Sequence, residues 1–74
     1  MRERRRYKIF RDDSVAMFDL EDTLKDAIAN VRSDIHDREV SGYEPCRYRI
    51  LGKFGAEKYT KDARRMTPEK RRLL

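Results

Sequence analysis

The stretch Asp19–Arg38, DLEDTLKDAIANVRSDIHDR, decides the fold, because it is the longest in the chain with one clear hydrophobic period. Leu20, Leu24, Ile28, Val31 and Ile35 recur at spacings of four, four, three and four. On a 3.6-residue helix they fall within an arc of roughly 80°. Asp19 is expected as N-cap, with Asp22 three residues on near the place of a capping-box acid. Glu21 and Lys25, and again Asp34 and Arg38, are i, i+4 pairs in the favourable order. Arg38 returns to the apolar stripe, so the helix is expected to end near residues 36–38. Its polar surface splits into an acidic flank (Asp22, Asp26, Asp34 and Asp37) and a basic one (Lys25, Arg32 and His36).

The flanking segments read as strands. From Tyr7 to Arg11 the chain alternates, with Tyr7 and Ile9 on one side and Arg6, Lys8 and Phe10 on the other. Asp12-Asp13 is a turn signal, and Ser14 to Phe18 is short enough to be a return strand, giving a hairpin over 6–18. The competing reading starts a helix at Ser14. Gly42 suits a chain reversal in the connection 39–45. Arg47 to Phe54 is the strongest strand, with Tyr48, Ile50, Gly52 and Phe54 on one face and Arg47, Arg49, Leu51 and Lys53 on the other. Residues 56–74 read as a basic, partly helical tail, with Thr67-Pro68-Glu69 as a helix start.

These elements predict a small α+β domain over 1–55, of ββαβ order, followed by the tail 56–74. A three-stranded antiparallel sheet is covered on one face by one amphipathic helix. The expected core includes Tyr7, Ile9, Val15, Met17 and Phe54 beside the helical stripe and Tyr48 and Ile50.

Charge is unevenly spread. Residues 1–11 carry +5, residues 12–44 carry −7 and residues 45–74 carry +7. A field that uneven faces a partner or pairs internally. With the helix stripe on the face of Tyr7, Ile9, Tyr48 and Ile50, the cations Arg6, Lys8, Arg47, Arg49 and Lys53 surround Phe10 on the open face. Cations neutralise phosphates and a ring stacks on bases, so nucleic acid or a nucleoprotein complex is the expected partner. The same alternation also describes a solvated sheet face that resists edge-to-edge aggregation. The alternative is a protein partner met by Asp22, Asp26, Asp34 and Asp37.

Other classes find little support. His36 and Cys46 are single, and no third group is evident to orient them as a catalytic pair, so no enzyme is expected. No cysteine–histidine cluster suggests zinc and no glycine-rich loop suggests a nucleotide, so no cofactor or metal is expected. One cysteine allows no internal disulfide and suits a reducing cytoplasm. No apolar run reaches the ~20 residues of a membrane span, and the basic start lacks the apolar region of a secretory signal.

No motif marks a family. In size and charge alone, the chain is similar to small accessory proteins of phages and mobile elements. Anti-CRISPR proteins are an example: inhibitors that occupy a surface of a host nucleic-acid machine. A small core and free sheet edges lead to the expectation of a homodimer.

Overall fold

Two short strands precede the long helix. In the computed structural model, which describes residues 7–74, β1 (Tyr7–Arg11) and β2 (Met17–Glu21) form an antiparallel hairpin. The pairing passes from Ile9 opposite Asp19 to Phe10 opposite Met17, which leaves Phe18 unpaired. That irregularity lets Phe18 pack against the core, with the Arg11 guanidinium 4.4 Å from its ring centre.

β2 takes in Asp19, Leu20 and Glu21, which the helical period had claimed. The side chains of Asp19 and Glu21 accept hydrogen bonds from the Asn30 amide at 2.7 and 2.8 Å. Two acids in a strand are thus held by one residue of the helix above them. The cap is Thr23, in extended geometry, whose hydroxyl oxygen accepts the Asp26 N–H at 3.1 Å.

The helix itself, α1 (Leu24–Ser41), runs past its expected end. Arg38 is no stop signal. Its guanidinium reaches out to the Asp13 carboxylate at 2.7 Å and donates to the Glu44 carbonyl, so a cation on the apolar side is compensated. The stop is Gly42, at φ 81°, whose N–H returns to the Arg38 and Glu39 carbonyls.

β3 (Arg47–Leu51) pairs with β1, and β4 (Glu57–Asp62) pairs with β3. The sheet therefore has four strands in the order β2-β1-β3-β4, all antiparallel, where three were expected. The fourth comes from inside the stretch read as a tail. It is an edge strand whose main inward side chain is Tyr59, so it lacks the apolar alternation of a central strand. A 3-10 turn (Ala63–Arg65) leads to α2 (Pro68–Leu73), capped by Thr67 with proline at the start.

The core lies between α1 and one sheet face. Ile9, Tyr48 and Ile50 from the sheet meet Ala27, Val31 and Ile35 from α1, with Cys46 and Ala63 closing one end. Leu24 and Ile28 are only half-buried. The buried arc of α1 is turned by roughly 20° from the centre of the sequence stripe, towards Ala27 and Asp34. Val15 and Phe54 are 102% and 89% exposed, and Met17 is exposed as well, so these three are not core residues.

Candidate binding surface on the open sheet face

Alternation fixes what the uncovered face carries. Its cross-strand rows, read from β2 to β4, are Leu20, Lys8, Leu51 and Glu57, then Met17, Phe10, Arg49 and Thr60. A third row holds Arg47 opposite Asp62, with Asp12 beside it, the Asp12 N–H donating to the Arg47 carbonyl at 2.9 Å. Among the described residues no helix covers this face, since α1 packs on the other one.

Four of the expected cationic and aromatic residues meet here. Lys8, Phe10, Arg47 and Arg49 share the face, and the Arg49 guanidinium lies 5.9 Å from the Phe10 ring centre. Arg6 lies outside the described residues. Lys53 sits in the turn after β3, its ammonium 5.3 Å from the exposed Phe54 ring, at the end of the sheet.

The face is less basic than its strands alone indicate. Asp12 places one carboxylate oxygen 2.8 Å from Arg47 Nε and the other 4.0 Å from Arg49 Nε. Both Nε atoms are shielded from solvent and lack an aligned hydrogen bond. Asp12 therefore compensates charge, closely at Arg47 and at longer range at Arg49, while the two side chains stay 43% and 40% exposed. At the next position Asp62 is taken by Arg64, with Nε 2.8 Å from the carboxylate. Those hydrogen bonds, with the Arg64 backbone N–H and the nearby charges, hold the Asp62 carboxyl down at about 2. Glu57 adds a third carboxylate. Sequence reasoning missed these three acids because Asp12 stands in a turn and Glu57 and Asp62 in the stretch read as a tail. A strand partner is not visible until the register is known.

The acidic flank of α1 is divided by the fold. Asp22 and Asp26 are exposed at the start of the helix, and Asp37 is exposed further along it. Asp34 turns inward, accepting the Tyr48 hydroxyl and an Arg11 N–H, the latter at 3.2 Å. Burial, and then the Asp34 carboxylate, push the Tyr48 phenol well above its ordinary range. Asp34, Asp37, Arg11 and Arg38 line a small polar cavity of about 340 Å³ with Tyr43.

Cys46 is buried, and burial pushes its thiol up, against the arrangement a nucleophile needs. His36 binds the Arg72 carbonyl through Nδ1 at 2.6 Å, on the other side of the helix from the polar cavity. Among the described residues no group of three or more His, Cys, Asp or Glu is placed to hold a metal ion. No described helix is long and apolar enough to cross a membrane. No family model, curated protein or solved structure matches the chain.

Proposed function

We propose that this chain is a non-enzymatic binding module that contacts nucleic acid, or a complex containing it, through the open face of its sheet. The observation that carries this reading is Phe10 opposite Arg49, with Lys8 two residues back on its strand and Arg47 on β3, on a face that no described helix covers. A ring on a flat sheet can stack with a base, and the guanidinium ends of Arg47 and Arg49 on the neighbouring strand, with the Lys8 ammonium two residues back, can take nearby phosphates. Asp12 supports this use through its close ion pair with Arg47, which limits that side chain's freedom before binding. Anisotropy of labelled DNA and RNA at low and physiological salt tests it.

One observation favours a second reading. Met17, Leu20 and Leu51 flank Lys8 and Phe10, and Asp12, Glu57 and Asp62 alternate with the cations. An apolar strip amid both charge signs is the composition of a protein interface. On this reading the chain is a small inhibitor or adaptor that occupies a protein surface, of the kind phages and mobile elements use. It predicts no tight binding of free nucleic acid at physiological salt.

A further inference from the structure

A groove of about 750 Å³ runs along the flank of α1 opposite the polar cavity. Leu24, Ile28 and Ala29 form its apolar part, with Leu74 beyond α2 as a wall. Lys25, Arg32 and His36 bring positive or titratable groups to the same groove. Two neighbouring i, i+4 rows of α1 make this surface: Leu24, Ile28, Arg32 and His36, and beside them Lys25, Ala29 and Ser33. The second row is small in its middle, which leaves a furrow between larger side chains.

Among the described residues no carboxylate stands within ion-pair distance of the groove's cations. Among the described residues every arginine stands within 4.0 Å of a carboxylate except Arg32 and Arg72. Arg32 lines the groove, and Arg72 is tied beside it by the bond from His36 to its carbonyl. Since a carbonyl only accepts, His36 Nδ1 carries the proton there, and Nε2 is left for other contacts. Lys25 has no ion-pair partner among the described residues, because Glu21, its expected partner, is in β2 and bound to Asn30.

We infer that this groove receives an acidic amphipathic helix of a partner protein. From Leu24 to His36 it spans about 18 Å, or a little over three helical turns. Apolar side chains at i, i+3 and i+4 of the incoming helix enter the furrow against Leu24 and Ile28, and its carboxylates meet Lys25 and Arg32. The chain's own first residues have the wrong sign for this site, with four arginines against one glutamate in positions 1–6. Nucleic acid would match the charge but not the apolar furrow. This inference is independent of the open sheet face.

The test uses a fluorescein-labelled peptide of about fifteen residues, with leucine at the i, i+3, i+4 and i+7 positions and glutamate elsewhere. Its counterpart has lysine in place of glutamate. Anisotropy titrations with the whole chain should show binding of the acidic peptide and at least about tenfold weaker binding of the basic one. Arg32→Glu and Ala29→Glu, both at exposed positions, should each weaken the acidic peptide by about tenfold or more while the circular dichroism spectrum and melting curve stay unchanged. The Arg47→Glu, Arg49→Glu double variant should keep the peptide. Absence of acidic-peptide binding, equal binding of the lysine peptide, or full binding by Arg32→Glu would overturn the inference. Self-association lost in Arg32→Glu by sedimentation would assign the groove to a second copy. Displacement of the peptide by an oligonucleotide would assign it to nucleic acid. Either result overturns the protein-helix assignment.

Discussion

Arg71 Nε lies 2.7 Å from Glu39 Oε1, across the seam between α2 and α1. The same guanidinium donates to the Ala63 carbonyl at 3.0 Å and to the Met66 carbonyl. One arginine therefore joins the end of α1, the 3-10 turn and the last helix, with both charged side chains largely shielded from solvent. A six-residue helix has too few internal bonds to persist alone. Its Thr67 cap starts it, and this fork, the His36 bond to the Arg72 carbonyl and the packing of Met66 and Leu74 hold it on α1.

Arg71→Ala should cost about 2–3 kcal/mol, because it takes their charged donor from Glu39 and the Met66 carbonyl and leaves the Ala63 carbonyl with the Met66 N–H alone. Arg71→Lys should recover only part, since an ammonium cannot reproduce the planar fork. Urea unfolding followed by circular dichroism measures both. An unchanged midpoint in Arg71→Ala would show that α2 is docked by other contacts.

The Tyr48–Asp34 bond predicts a loss of stability in alkali. Tyr48 is fully buried, and its folded-state pKa is raised above the ordinary value near 10. Above pH ~10 the unfolded chain gives up the phenolic proton and the folded one keeps it, so stability falls as pH rises, by up to about 1.4 kcal/mol per pH unit. Below pH ~10 the contribution is complete. Tyr48→Phe should be less stable at neutral pH and should lose this part of the alkaline slope. Parallel slopes in the two proteins would show that the phenol ionises where it stands.

Asp62 makes the opposite prediction. Its carboxyl is held at about 2, first by the Arg64 side chain, so its contribution is present above the ordinary carboxylate range and is lost as pH falls towards 2. A carboxyl-detected NMR titration should place its midpoint near 2, and Arg64→Ala should move that midpoint up into the ordinary range. An ordinary midpoint in the unaltered chain would contradict the pair.

Burial along α1 ranks the core substitutions. Val31 is fully buried and Leu24 is not, so Val31→Ala should cost about 2 kcal/mol and Leu24→Ala less, despite the larger side chain removed. Thermal or urea unfolding decides it. The reverse order would mean that Leu24 is more enclosed than its half-buried position indicates.

The same residues show how far the fold was legible. The apolar period located the main helix, and alternation located β1 and β3 with Ile9, Tyr48 and Ile50 inward, because each pattern follows from one buried face. The helix start was displaced because, in isolation, Asp19 looks like an N-cap and Asp22 like its capping-box acid. What makes Asp19 a strand residue is Asn30, eleven positions away. Arg38 looked like a terminator because its compensation by Asp13 and Glu44 is non-local. β4 was hidden because an edge strand in mainly polar surroundings has no apolar signature. The cations of the open face were readable from β1 and β3, but the carboxylates that balance them depend on the register of the turn and of the fourth strand.

The most direct test of the sheet-face account is the salt-dependent affinity of labelled single-stranded and duplex DNA and RNA, compared between the unaltered chain and Arg47→Glu, Arg49→Glu. Arg47→Gln, Arg49→Gln serves as the milder pair beside Asp12, with folding checked by circular dichroism. The account predicts binding by the unaltered chain whose log affinity falls with log salt by roughly 0.7 to 0.9 per phosphate contacted. It predicts marked weakening in the glutamine pair and loss in the glutamate pair. A chain that ignores every nucleic acid at low salt, or a folded glutamate pair that binds as tightly as the original, would contradict it.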